Sequence, residues 1–229
     1  MTTLLAEDLL LLLLDDESGA LDATTDPTPA LGGALLLELA LDDAVEVHAR
    51  RWAGDVVRPT AQGAGAAGSE PRDPLLEAAL ATVAEKERTP QDLVQRLGKG
   101  VKEQLAERLV GRGVLEVRRD KVLGLFPRTR WPARDSSHED AVRRSLTAVL
   151  VGGAEPDPRT AALVALLHAT GRAHKVVDHQ GIRAGQVRRR AKEVAEGAWA
   201  AEAVRRAVSA ATAAVVSSIA VGAAVSSGG

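Results

Sequence analysis

Three histidines, His168, His174 and His179, fall within HATGRAHKVVDHQ, with Asp178 beside them. Imidazoles and a carboxylate are the usual oxygen and nitrogen ligands of zinc. Their spacings of six and five do not set all three rings on one helix face. A metal site and solvated or helix-end histidines therefore stand as alternatives, and His174 and Asp178, four apart, have the spacing of a helical pair. Gly63, Gly65 and Gly68 spell G-x-G-x-x-G. A dinucleotide fingerprint needs a strand before it and a helix straight after it. Here Ser69-Glu70-Pro71 follows instead, so the glycines read as a plain loop. No glycine-rich loop is followed by a phosphate-binding lysine, and G-x-S-x-G, H-E-x-x-H and a pair of catalytic carboxylates are all lacking. With no cysteine, disulfides, thiol nucleophiles, thiolate zinc sites and iron–sulfur clusters are excluded. The expectation is a protein that is not an enzyme and has no resident cofactor or metal.

Residues 99–134 carry the densest recognisable pattern. Ten bases (Lys99, Lys102, Arg108, Arg112, Arg118, Arg119, Lys121, Arg128, Arg130, Arg134) face four acids (Glu103, Glu107, Glu116, Asp120), a local charge of +6. Phe126 and Trp131 are half of the chain's four aromatics, and Val122, Leu123 and Leu125 add apolar bulk. Cations attract anionic headgroups at about 1 kcal/mol each near the surface, while apolar side chains enter the interface. A solvated basic face over a core hairpin is the plainer alternative. A nucleic-acid reading also competes: helix 91–97, helix 101–110 and hairpin 114–126 have the order of a winged helix-turn-helix. Glu103 and Glu107 on the would-be recognition helix weigh against it.

Helical periodicity supplies the elements that must hold these residues. Thr3 is expected to cap a helix over about 4–15, and a second helix covers 31–41. Val45–His48 and Val56-Val57 read as paired strands. Helices are expected over 75–87, from Thr89 to 97, and over 101–110. Val114–Val117 and Val122–Phe126 flank Arg118–Lys121, a hairpin with a charged tip. Helices over 136–151, 159–170, 182–196 and 200–226 complete a mainly α, single helical domain spanning 1–229, with one or two small β-hairpins. Leu9–Leu14 is too short for a signal-peptide core, and Glu7 and Asp8 stand where its basic region belongs. Ala207–Val225 is uncharged over 19 residues, the length of a membrane span. Its Ala, Ser, Val and Gly insert weakly, so a last helix buried all round is expected. The excess of arginine (23) over lysine (6) suggests a GC-rich, bacterial genome.

The order and spacing of several segments resemble the Golgi phosphoprotein 3 family, including its bacterial members: LLAEDLLLLLLDDESG, ALGGALLLELALDDAVEV, DPLLEAALATV, VKEQLAERLVGRGVLEVRRDKVLGLFP and RTAALVALLHATG. The resemblance implies a mostly helical domain that binds phosphatidylinositol 4-phosphate at a basic surface pocket. It also implies an apolar hairpin that enters membranes or self-associates, and an adaptor role toward client proteins. Two arginines of the family pocket fall on Lys99 and Lys102, which keep the charge but lose the bidentate phosphate geometry. A further arginine falls on Gly32 and a tryptophan near Ala23, so half the pocket is absent and a broader anionic-lipid preference follows.

The expected site is therefore Lys99 and Lys102 at a lipid phosphate. Arg118, Arg119 and Lys121 add attraction at the hairpin tip. Val122, Leu123, Leu125 and Phe126 enter the interface or make a homo-oligomer contact. The partners expected are anionic lipids and client proteins, not nucleic acid, and the place is the cytoplasmic side of a membrane, bound peripherally. A net charge of −2 hides opposed regions, because residues 1–50 hold eleven acids and a single base. Those acids read as a solvated face.

Overall fold

The computed structural model describes residues 3–15, 17–21, 26–50, 54–64, 72–122, 126–197 and 202–226. Its described residues form nine helices and two separate two-stranded antiparallel sheets, a mainly α fold. The helices are α1 (Leu5–Leu13), α2 (Thr28–Leu41), α3 (Pro74–Ala84), α4 (Pro90–Gly98), α5 (Val101–Gly111), α6 (Ser137–Leu150), α7 (Pro158–Ala169), α8 (Ala184–Glu196) and α9 (Glu202–Ser226). Strands β1 (Val45–His48) and β2 (Val56–Pro59) pair with His48 opposite Val56. Strands β3 (Arg118–Val122) and β4 (Phe126–Arg130) pair with Arg118 opposite Arg130.

The centre of the fold is α2. Its residues from Pro29 to Ala40 are all buried, with α1, α4, α7 and α9 laid against it. An apolar helix enclosed on all sides is the signature of a core helix. The expectation gave that place to the last helix, and the structure corrects it. In α9, Ala207, Val208, Ala211, Ala214 and Val215 face inward, while Val216 is half exposed. Helices α2, α4, α7 and α8 and strand β1 pack against it, while Ser209, Ala213, Val216 and Ala220 stay exposed. No described helix is long and apolar enough to cross a membrane.

The solvated-acid reading of the N-terminal part fails at three positions. Glu7, Asp8 and Glu38 are buried because each has cationic partners from distant segments. Glu7 Oε1 meets Arg108 Nε at 3.0 Å and Arg112 Nη2 at 2.6 Å, and its Oε2 accepts the Leu4 N–H at 2.8 Å. Asp8 meets His138 at 2.7 Å and Arg159 at 3.0 Å. Glu38 pairs with Arg159 and accepts the Leu5 N–H. These carboxylates sit at the positive end of α1, whose first-turn N–H groups lack helical partners. Thr3 does not cap α1; Leu4 takes that place.

Asp73 opens α3 in the same way. Its Oδ1 accepts the Leu75 N–H at 2.9 Å, and Arg108 donates to both its oxygens at 3.0 and 2.6 Å. Burial, the largest single influence, raises the Asp73 carboxyl. The Arg108 and Leu75 hydrogen bonds and the charges of Arg108 and Arg112 outweigh it and hold it below the ordinary value. A depressed carboxyl adds stability above its unfolded pKa and loses it as pH falls through the folded one. Asp73→Asn keeps the cap and removes the charge, so it should cost about 1 kcal/mol at pH 7. Urea midpoints at pH 7 and pH 3 check this: the gap from wild type should shrink at pH 3. An equal gap at both would remove the ionic account.

Candidate anion-binding site

The α4–α5 corner is built by close helix packing. Leu93, Val94 and Leu97 form the buried face of α4, Thr89 caps it by accepting the Asp92 N–H at 3.2 Å, and Pro90 begins it. A Cβ at Gly32 of α2 would overlap the Val94 carbonyl oxygen, and one at Gly98 would overlap the Thr28 carbonyl oxygen. The two backbones therefore touch. Gly100, at φ 72°, turns the chain straight into α5, a left-handed conformation that glycine adopts freely. Lys99 is exposed on this turn and has no ion pair among the described residues.

In α5, Val101, Leu105, Ala106 and Leu109 face the core, which leaves Lys102 at the border of the buried stripe. Its Nζ lies 5.5 Å from the centre of the Trp131 ring, within cation–π range. It also lies 2.9 Å from Glu103. Burial, the largest single influence, raises the Glu103 carboxyl. The Lys102 hydrogen bond, Glu103's own N–H and the Lys102 charge together hold it below the ordinary range. No side chain from the N-cap residue, Gly100, closes α5, and Lys99 and Lys102 stand on either side of that start in sequence, an arrangement that favours an anion.

Trp131 fixes this corner to the hairpin. It is half buried against the core, and its N–H donates to the Gly19 carbonyl at 3.1 Å. The β3–β4 register continues inward as a Leu115–Ala133 bridge. Lys102 therefore stands at the foot of the hairpin, beside the Arg118–Arg130 pair.

The charged tip is corrected. Arg118, Arg119 and Lys121 lie along β3, and the chain reverses between Val122 and Phe126. Pro127 sits within β4 opposite Lys121. Arg118 pairs with Glu116 at 2.9 Å. Arg119 is exposed without an ion pair among the described residues. Leu123 and Leu125 lie outside the described residues, and Val122 and Phe126 close the ladder by their backbones. The structure thus joins Lys102 to the start of β3 and sets Lys121 three residues further out, about 10 Å away. Two of the ten bases in the stretch, Arg108 and Arg112, turn inward to Glu7 and Asp73. The residue missed as part of the site is Trp131. Its signal was scarcity, one aromatic among four in the whole chain.

The model of the Golgi phosphoprotein 3 family matches residues 5–211. The chain belongs to the Golgi phosphoprotein 3 family. Among curated proteins none matches it. The family arginine expected at position 32 meets a helix contact with no room for a side chain, and the position near Ala23 lies outside the described residues. The α4–α5 corner in this chain presents Lys99, Lys102 and Trp131 around the start of α5.

The other motifs resolve differently. Gly63 packs against the Ala44 carbonyl, and Gly65 and Gly68 lie outside the described residues. No group of three metal-binding side chains occurs among the described residues. His174 does not pair with Asp178, whose Oδ1 accepts the Gln180 N–H at 3.0 Å. His174 meets Arg188 instead.

Proposed function

We propose that this chain is a non-enzymatic peripheral membrane protein that binds anionic lipid headgroups of the phosphatidylinositol 4-phosphate kind. The observation that carries the reading is the α4–α5 corner. There, unpaired Lys99, Lys102 on Trp131 and the uncapped start of α5 stand at the foot of a basic hairpin. A phosphate at this corner would meet Lys99 directly and would compete with Glu103 for Lys102 and for a first-turn N–H of α5. Arg119 and Lys121 extend the attraction along β3. Val122 and Phe126, which end the β3–β4 ladder, together with Leu123 and Leu125, enter the lipid interface or meet a second copy. Loss of the arginine at position 32 favours a broad anionic preference over strict phosphoinositide choice. The face is turned to the cytoplasmic side of the membrane.

The order α4, α5, β3, β4 also has the shape of a winged helix, but the outward face of α5 weighs against a recognition helix. It carries Glu103, Gln104 and Glu107, while Arg108 and Arg112 turn to buried Glu7.

Co-sedimentation with phosphatidylcholine, phosphatidylglycerol and phosphatidylinositol 4-phosphate vesicles at two salt concentrations tests the reading. Wild type should pellet with both anionic vesicles, less so at high salt. Lys99→Glu/Lys102→Glu should weaken binding by about 2 kcal/mol or more, roughly 30-fold. Wild type left in the supernatant with every vesicle defeats the function; an unaffected double variant defeats the site.

A further inference from the structure

The α7–α8 loop and the start of α8 form a second basic surface. Residues 172–192 hold seven bases (Arg172, Lys175, Arg183, Arg188, Arg189, Arg190, Lys192) and one acid, Asp178. Ala173 and Val176 are buried and anchor the loop, which leaves Lys175 exposed and His174 and His179 half exposed. His179 Nε2 donates to the His174 carbonyl at 2.6 Å, bracing the turn. On α8, Arg189 and Arg190 approach Glu193 at 3.6 and 3.8 Å, and Lys192 approaches Glu196 at 3.9 Å. Arg188 has no such carboxylate among the described residues. Its neighbours three and four positions away are Ala184, Gly185, Ala191 and Lys192.

Arg188 lies against the His174 ring instead, Nε 3.3 Å from Nδ1 and Nη2 3.1 Å from Nε2. A guanidinium has donors only, and a neutral imidazole has one accepting nitrogen. Whichever ring nitrogen accepts, the other carries an N–H that faces a second N–H with no acceptor between them. Protonation of the ring leaves both contacts donor to donor. An oxygen bearing negative charge would relieve this arrangement in either state, and phosphate brings several such oxygens to arginine's fork.

We propose that His174, Lys175, His179 and Arg188 form a second anion site, separate from the α4–α5 corner, that takes a phosphate dianion, either orthophosphate or a phosphate monoester headgroup. The charged groups facing His174 are Arg188 from α8 and Lys175 and His179 from its own loop. Burial first, then these three, hold its pKa below the ordinary histidine value. A bound dianion reverses that field, so phosphate should raise the His174 midpoint.

The experiment follows the imidazole resonances of the full chain by NMR during titration with sodium phosphate, against sodium chloride at matched ionic strength. His174→Gln assigns the signal. Phosphate should move the His174 resonances and raise the midpoint by about half a unit to one unit, and chloride should not. Arg188→Ala, at an exposed position, should keep the fold by circular dichroism and weaken the phosphate response more than fivefold. Phosphatidic acid vesicles, added to the Lys99→Glu/Lys102→Glu variant, separate the sources. The same His174 shift assigns a lipid headgroup; a response to free phosphate alone assigns a soluble one. Equal responses to chloride and phosphate, or an Arg188→Ala response like that of wild type, would overturn the site.

Discussion

Arg159→Leu should cost about 3–5 kcal/mol of stability, the range for removing one partner of a buried ion pair. The reason is what the change leaves behind. Arg159 donates to Glu38, to Asp8 and to the Thr3 carbonyl, so it ties α7 to α2 and to the entry of α1. Without it two buried carboxylates lose the cation they share, with the His138 ring left as the partner of Asp8. Adding Glu38→Gln should restore part of the loss, because it removes one stranded charge. Urea unfolding of the wild type, the single variants and the double variant measures this. The midpoint should fall with an unchanged slope, and the double variant should lie above the Arg159→Leu single. A loss below about 1 kcal/mol would mean that water reaches the cluster and satisfies it.

Gly32→Arg should fail as a repair. Position 32 is where the family resemblance puts a headgroup arginine, so the substitution looks restorative in sequence. In the fold its Cβ would overlap the Val94 carbonyl oxygen and crowd the Gly98 nitrogen. Both are backbone atoms, which cannot rotate away as a side chain does. The loss should be about 3 kcal/mol or more, or a melting temperature lower by roughly 6–12 °C at this chain length. Gly32→Ala should show most of that loss, because the Cβ alone makes the overlap. Vesicle binding should not improve in either variant. A Gly32→Arg protein that melts like wild type and binds phosphatidylinositol 4-phosphate vesicles more tightly would show that the α2–α4 contact opens readily.

The helices were legible because their apolar spacing, their Asp, Thr and Pro starts and their glycine stops agree. Thr89-Pro90, Asp73-Pro74 and Asp157-Pro158 all begin helices where the sequence places them. The hairpin was legible as a hairpin but not in register. Arg118-Arg119-Asp120-Lys121 looks like a polar turn, yet the ladder that begins at Leu115 and Ala133 carries it into a strand. The leucine runs were legible as core, but which helix is enclosed was not. The difference between α2 and α9 depends on neighbours from the whole chain. The buried acids misled for the same reason. Glu7 and Asp8 look solvated until Arg108, His138 and Arg159 are brought to them by the fold. Of the site, Lys99 and Lys102 were readable by position, whereas Trp131 beneath Lys102 needed the β4 register to bring it there.

The distance of α1 from its partners along the chain bears on how the protein is made. The contacts of Glu7 and Asp8 with Arg108, His138 and Arg159 span 101, 130 and 151 residues. At about 5–20 residues per second of synthesis, the first helix waits roughly 8–30 s for Arg159 to be added. For much of that interval Leu9–Leu14 is already made, while α7, which ties α1 to α2, does not yet exist. Helix α1 is thus secured long after it is made, and its apolar face depends until then on whatever else can cover it.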